Sequence, residues 1–298
     1  MNERRAARLA TLALLAMTAT WGSTFFLIKD LTERISALDF LAVRFPIATV
    51  ALLLIFPRAL RTLSADSRRR AAVLGGLYAV AQVLQTIGLA HTPASVSGFI
   101  TGLYVVCTPL LAAVLLHNKI GSVTWFAVAL AMAGVGLLTL QPGGLAFGYG
   151  ETLTLVAAVI YALHIVGLGA WSRPEEAMGM SIVQLAVISV ICLLGAAPNG
   201  IELPSTGRDW LSVVYMAVFA GALAMAGQTW AQAHLSATRC AIIMSMEPVF
   251  AALFAVVAGG EELTTRLTVG GLLVLSAMLI VELLPRRRIE AEVTHIAV

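Results

Sequence analysis

The sequence predicts an all-α polytopic membrane protein in which ten transmembrane helices form two inverted five-helix repeats around a central cavity. Three observations carry this. The 298 residues are 59% hydrophobic and only 12% charged, with a mean hydropathy of +0.92, whereas soluble domains carry about 25% charged residues. The apolar sequence divides into ten runs, each close to the ~20 residues that cross a hydrocarbon core. The two halves also resemble each other at a shift of 143 residues.

The runs lie near 9–28, 37–56, 71–90, 93–116, 122–140, 149–170, 179–197, 210–232, 237–258 and 267–284. The first is too long for a signal-peptide core and has no small-residue cleavage site, so it reads as a retained span. The linkers are short, and no soluble domain fits between spans. The expected division is a first repeat over 1–143, a second over 144–286 and a cytoplasmic tail over 287–298. Cys107, Cys192 and Cys240 all lie inside apolar runs without a CxxC pair, which argues against disulfides and against a metal site.

Alternate linkers differ in basic charge. With the N-terminus inside, fourteen basic residues face the cytoplasm: Arg4, Arg5, Arg8, Arg58, Arg61, Arg68, Arg69, Arg70, Lys119, Arg173, Arg239, Arg286, Arg287 and Arg288. Four, namely Lys29, Arg34, Arg208 and Arg266, face outward. This bias predicts that both termini are cytoplasmic. Trp125, Trp171 and Trp210 at span ends suit interfacial anchors.

The repeat is read by laying Ala90-His91-Thr92-Pro93-Ala94 on Ala233-His234-Leu235-Ser236-Ala237. The same shift carries Leu110 to Leu253, Val114 to Val257 and Ile120 to Leu263. Five spans per half require the second half to be inserted upside down. His117-Asn118-Lys119 then matches Gly260-Glu261-Glu262 across the membrane, so the charge changes with the side. Inverted repeats of this kind are typical of secondary transporters, whose sites lie near the midplane.

Trp21-Gly22, Arg44-Phe45, Met246-Glu247-Pro248-Val249-Phe250 and Gly260-Glu261-Glu262-Leu263 resemble the EamA-type drug/metabolite transporters over essentially the whole chain. Within them the chain is most similar to the YddG-like amino-acid exporters. The resemblance implies a ten-helix basket around a central cavity, alternating access, and export of amino acids or related metabolites. It also implies a plasma (bacterial inner) membrane location. The first half departs from the pattern: where the second reads Glu-Pro-Val-Phe, the first reads Tyr104-Val105-Val106-Cys107, with Pro109 a turn later.

The site expectation rests on the ninth span, which carries Glu247 and Pro248 in an apolar run with Met244 just before them. A charge at the centre of a membrane helix costs about 3 kcal/mol or more unless it meets protein or water. Glu247 is a proton-coupling carboxylate, an acceptor for a substrate amino group or a gate; the bland alternative is a structural acid, neutral or paired, that holds the bend at Pro248. Other spans carry polar faces at helical spacing: Ser97, Thr101, Tyr104 and Thr108 on the fourth; Tyr78, Gln82 and Gln85 on the third; Thr18, Trp21 and Phe25 on the first. Tyr161 and His164 lie three apart on the sixth span, and Gln228 and Gln232 four apart on the eighth. From these the expected substrate cavity is Trp21, Tyr78, Gln82, Thr101, Tyr104, Tyr161, His164, Gln228, Met244 and Glu247, with helix bends at Pro109 and Pro248. The bland reading of such groups is glue between helices. Arg44, seven residues inside its span, either binds a carboxylate, snorkels to the interface or pairs with Asp39, and the structural readings are favoured. Gly98-Phe99-Ile100-Thr101-Gly102 is expected to permit close packing within the protein.

The function expected is a secondary transporter exporting neutral amino acids such as threonine, methionine or the aromatic set. A hydrophobic drug-like substrate is the alternative. An intramembrane enzyme lacks His-Glu-x-x-His, Gly-x-Ser-x-Gly and paired midplane carboxylates. A channel lacks a filter-like sequence or a ring of charges. No cofactor, metal or nucleic acid is expected; the partners are a small-molecule substrate and the lipid bilayer, with a monomer favoured.

Overall fold

The computed structural model describes residues 3–115, 121–141, 144–145, 147–232, 234–235, 240 and 243–283. His117, Asn118, Lys119, Arg239, the arginines 286–288, His295 and the tail 287–298 lie outside the described residues.

The first half comprises α1 (Glu3–Leu31), α2 (Ala37–Ile55), α3 (Ala65–Ala90), α4 (Ala94–Gly102), α5 (Tyr104–Leu115) and α6 (Ser122–Leu138). The second comprises α7 (Tyr149–Trp171), α8 (Ala177–Ala196), α9 (Gly207–Ala217), a π-helical turn (Val218–Leu223), α10 (Ala224–Gln232), α11 (Glu247–Val257) and α12 (Thr265–Leu283). Between the halves, β1 (Leu140–Gln141) pairs antiparallel with β2 (Gly144–Leu145), the one described departure from the helical expectation. Ser36, Ser64 and Thr206 start α2, α3 and α9 by accepting the backbone N–H of Asp39, Ser67 and Asp209. Each satisfies a donor that the helix start leaves open.

Seven helical stretches among the described residues are long and apolar enough to cross a membrane; α4 and α5 count as one stretch, as do α9 through α10. The fifth, ninth and tenth expected spans are occupied by shorter apolar helices, Ser122–Leu138, Glu247–Val257 and Thr265–Ile280. Leu54, Leu194, Leu211 and Val257 are 76%, 69%, 72% and 75% exposed. In water these side chains would invite aggregation, and facing acyl chains they form the lipid-contacting belt.

The interior is held by small residues, since lipid supplies no hydrophobic force between helices. A Cβ on Gly22 would sit 2.5 Å from that of Phe250, and one on Gly98 2.5 Å from that of Ala251, so α11 wedges between α1 and α4 at backbone contact. Gly102 packs on Met278 and Pro248, which makes the Gly98–Gly102 pair an internal packing device.

Packing between the halves is reciprocal. α2 lies on α8, α4 on α11 and α6 on α12. α3 packs on α7 and α8, while α1 and α2 pack on the segment from α9 to α10. α1 meets α11, and α4 and α5 meet α7.

The helix ends sort to two sides. On one, Lys29 Nζ donates to Ala90 O at 2.8 Å and Glu261 accepts the Ala94 N–H at 2.5 Å. Arg34 there pairs with Asp30 and Asp209 at 2.6 and 2.7 Å. These carboxylates, Asp30 first, push the Arg34 guanidinium above its ordinary value. On the other side, Glu176 accepts from the Ser67 hydroxyl at 2.6 Å and the Ser64 N–H at 3.0 Å. These donors, Ser67 foremost, hold the Glu176 carboxyl below its ordinary value.

Candidate functional site

The central cavity is lined in part by residues on either side of two helix breaks at equivalent points. α4 stops at Gly102 and α5 resumes at Tyr104, leaving Leu103 outside regular helix. In the second half, Ser245 and Met246 form a turn and α11 begins at Glu247. Leu103 and Met246 are 143 residues apart. Of the two prolines expected to mark the bends, Pro248 lies two residues after Met246, whereas Pro109 lies six residues after Leu103, inside α5. Pro248 occupies the first turn of α11, where its missing N–H costs nothing. The residue that resumes each helix is Tyr104 in one half and Glu247 in the other, and the two meet: Tyr104 Oη donates to Glu247 Oε2 at 2.8 Å.

The cavity together with the open space at its mouth amounts to about 660 Å³. All ten expected side chains line it: Trp21, Tyr78, Gln82, Thr101, Tyr104, Tyr161, His164, Gln228, Met244 and Glu247. Four pairs on the lining stand 143 residues apart: Trp21 with His164, Gln85 with Gln228, Thr101 with Met244, and Tyr104 with Glu247. Eight of the eighteen lining residues are thus matching positions of the two halves; Gln85 and Gln228 keep the same chemistry and the other three pairs differ.

One polar chain crosses this wall. Gln82 Nε2 donates to Tyr161 Oη at 2.6 Å, Tyr161 donates to Gln85 Oε1 at 2.8 Å, and Gln85 Nε2 donates to Thr101 Oγ1 at 3.1 Å. It ties α3 to α7 and α4. His164 Nε2 meets Gln184 Oε1 at 2.7 Å, and Gln184 Nε2 is committed to Met180 O at 3.3 Å, so the histidine nitrogen is the donor. His164 is thus a buried, hydrogen-bonded histidine that also faces the cavity.

The π turn and the end of α9 just before it supply acceptors for the aromatic and the basic group. A wider turn releases backbone carbonyls from the helical ladder. Trp21 Nε1 donates to Ala220 O at 3.0 Å, and Arg44 Nε donates to Met216 O at 3.3 Å.

Arg44 is the principal correction. It neither snorkels nor pairs with Asp39: it is 2% exposed and lines the cavity, while Asp39 accepts from Ser36 Oγ at 2.7 Å. The expectation failed because depth along an apolar helix does not reveal which face looks inward. Thr24, Ile28, Gln85, Thr86, Leu89 and Ile165 also line the cavity, and the Thr86 hydroxyl has no partner among the described residues. Gln85 was on the expected polar face of its span; Ile28, Leu89 and Ile165 carry no polar signal at all. Thr18, Ser97, Thr108 and Gln232 lie off the lining, and Thr18 and Thr108 bond instead to carbonyls within their own helices. No group of three or more metal-binding side chains occurs among the described residues.

Comparison with known proteins gives this architecture a lineage. The chain is 28% identical over 274 residues to an uncharacterized transporter of Archaeoglobus fulgidus, covering 92% of this chain and 86% of that protein. It is 26% identical over 262 residues to the uncharacterized inner membrane transporter YedA of Escherichia coli K12, covering 85% and 83%. A solved structure titled "Crystal structure of protein" aligns with a TM-score of 0.67 at 19% identity, over 93% of this chain and 97% of the other, which speaks to fold alone. The model of the EamA-like transporter family matches twice, over residues 8–140 and 148–283, on either side of the short hairpin. With both halves accounted for, the chain belongs to the EamA-like transporter family and is a multi-pass membrane transporter of small substrates.

Proposed function

We propose that this transporter exports neutral amino acids, such as threonine, methionine or the aromatic set, by alternating access, in the manner of the YddG-like exporters that its motifs resemble. The observation that carries the reading is Glu247. It is 7% exposed on the cavity wall, has Tyr104 as its hydrogen-bond donor, and has no basic partner within 4.0 Å among the described residues. A substrate ammonium group meets there the carboxylate that the protein leaves unpaired. Trp21, Phe25, Ile28 and Met244 offer an apolar wall for the side chain, and Gln82, Gln85 and Thr101 offer neutral polar contacts.

Alternating access is supported by the reciprocal packing of the halves and by the matched breaks at Leu103 and Met246. Ten spans, an inverted second half and cytoplasmic termini complete the proposal, and the basic residues of the linkers argue for that orientation.

The test is uptake into proteoliposomes with a panel of amino acids, nucleosides and lipophilic cations, with and without a pH gradient. Saturable counterflow of neutral amino acids is expected, and Glu247→Gln is expected to reduce it about tenfold or more and flatten its pH response. Uptake confined to lipophilic cations would overturn the amino-acid reading in favour of drug export. Wild-type transport and pH response in Glu247→Gln would remove Glu247 from both binding and coupling.

A further inference from the structure

Arg44 is the one Lys or Arg among the described residues lining the cavity. It is 2% exposed, yet only one of its N–H groups, Nε, has a protein acceptor, the Met216 carbonyl at 3.3 Å. The remaining donors of the guanidinium fork have none among the described residues. No carboxylate of the described residues lies within 4.0 Å of it. The Phe40 and Phe45 rings stand 5.6 and 5.1 Å from the guanidinium carbon, so the cation is held by aromatic faces while its hydrogen-bonding edge is left open.

A buried cation without an anion is costly in a membrane protein unless something supplies the anion. The planar fork of arginine fits a carboxylate with two parallel hydrogen bonds. Glu247 stands on the same cavity wall with the opposite charge. The position equivalent to Arg44 in the second half is Val187, and that of Glu247 in the first is Tyr104. A symmetric scaffold therefore presents one cation and one anion at positions that are not equivalents of each other, which gives a dipolar ligand one orientation.

We infer that Arg44 binds the free carboxylate of the substrate, so that the cavity accepts amino acids and rejects their amides and esters. This rests on the amino-acid reading above and assigns the other pole of the substrate.

The test compares methionine with methioninamide, and threonine with threoninamide, in proteoliposome counterflow, alongside 4-(methylthio)butanoate as an acid without an amine. The wild-type protein should prefer each amino acid over its amide by about tenfold or more, the worth of one charge-assisted bidentate contact, and the amine-free acid should compete. In Arg44→Gln the preference should fall to about twofold, mainly through a raised KM for the amino acid. Arg44→Lys, which keeps the charge and loses the fork, should fall between. Melting and gel filtration establish that each variant is folded. Equal transport of amino acid and amide by the wild-type protein would overturn the carboxylate assignment whatever the variants do. So would a folded Arg44→Gln that still discriminates. A wild-type protein that moves no amino acid of the panel overturns the amino-acid reading itself, and this inference with it.

Discussion

Tyr104 and Glu247 show how a repeat can yield asymmetric chemistry from symmetric geometry. Each resumes its helix after a break, and their side chains meet at 2.8 Å across the contact of α4 and α5 with α11. Two carboxylates at these positions would repel at short range, and two tyrosines would leave no anion. Removing the phenol leaves the buried Glu247 Oε2 without that donor, which costs about 1–3 kcal/mol. Tyr104→Phe is therefore expected to lower the melting temperature in detergent by a few degrees and to change the KM for amino acid severalfold, because the substrate ammonium would bind an acid no longer shared with Tyr104. Unchanged melting and KM together would show that the bond contributes nothing.

At the scale of elements, α4 has a start that its own sequence cannot complete. Pro93 precedes it and offers no side-chain cap. Glu261, 167 residues later, instead accepts the N–H groups of Ala94 and Ser95 and the Ser95 hydroxyl. A carboxylate at a helix N-terminus gains from both hydrogen bonds and the helix dipole, about 1–2 kcal/mol in favourable cases. At the opposite end of the bundle Glu176 reinforces the start of α3, which Ser64 already caps, by accepting the Ser64 N–H and the Ser67 hydroxyl. Each lock joins the second half to a helix start of the first. Glu261→Ala is expected to destabilise the protein by about 1–2 kcal/mol, measured by thermal unfolding in detergent. Glu262→Ala should be near neutral, since Glu262 is exposed and makes no side-chain hydrogen bond among the described residues. Equal effects at the two positions would refute the assignment. Gly260-Glu261-Glu262 was legible as a motif, but which acid turns inward is decided by the path of the chain after Gly260, at φ 73°.

The same division between pattern and path governs the rest. The ten apolar runs, the shift of 143 residues and the inward polar faces of α3, α4 and α7 could be read because apolar and polar residues alternate with helical period. α2 is apolar all round, so nothing in it announced that Arg44 points to the cavity. The π turn at Val218–Leu223 is written in alanine, glycine, valine, phenylalanine and leucine, indistinguishable from ordinary helix, yet it places the carbonyl that holds Trp21 and lies beside the one that holds Arg44.

For the whole molecule, the decisive question is the relative orientation of the halves. An odd number of spans per half inverts the second, so that equivalent loops emerge on opposite sides of the membrane. In the proposed inverted topology the connection between α2 and α3 and that between α8 and α9 would be such a pair, and Arg61 and Glu202 are exposed on them. The first connection carries Arg58 and Arg61 and is followed by Arg68, Arg69 and Arg70; the second is nearly free of basic residues, and this bias is the argument for the proposed orientation, with the first connection in the cytoplasm. In a variant whose three native cysteines are replaced, Glu202→Cys should react with a membrane-impermeant maleimide on intact cells. Arg61→Cys should react only after permeabilisation. Labelling of both from the same side would make the halves parallel and would remove the physical basis for alternating access by exchange of two inverted, equivalent halves, while leaving the cavity and its two unpaired charges in place.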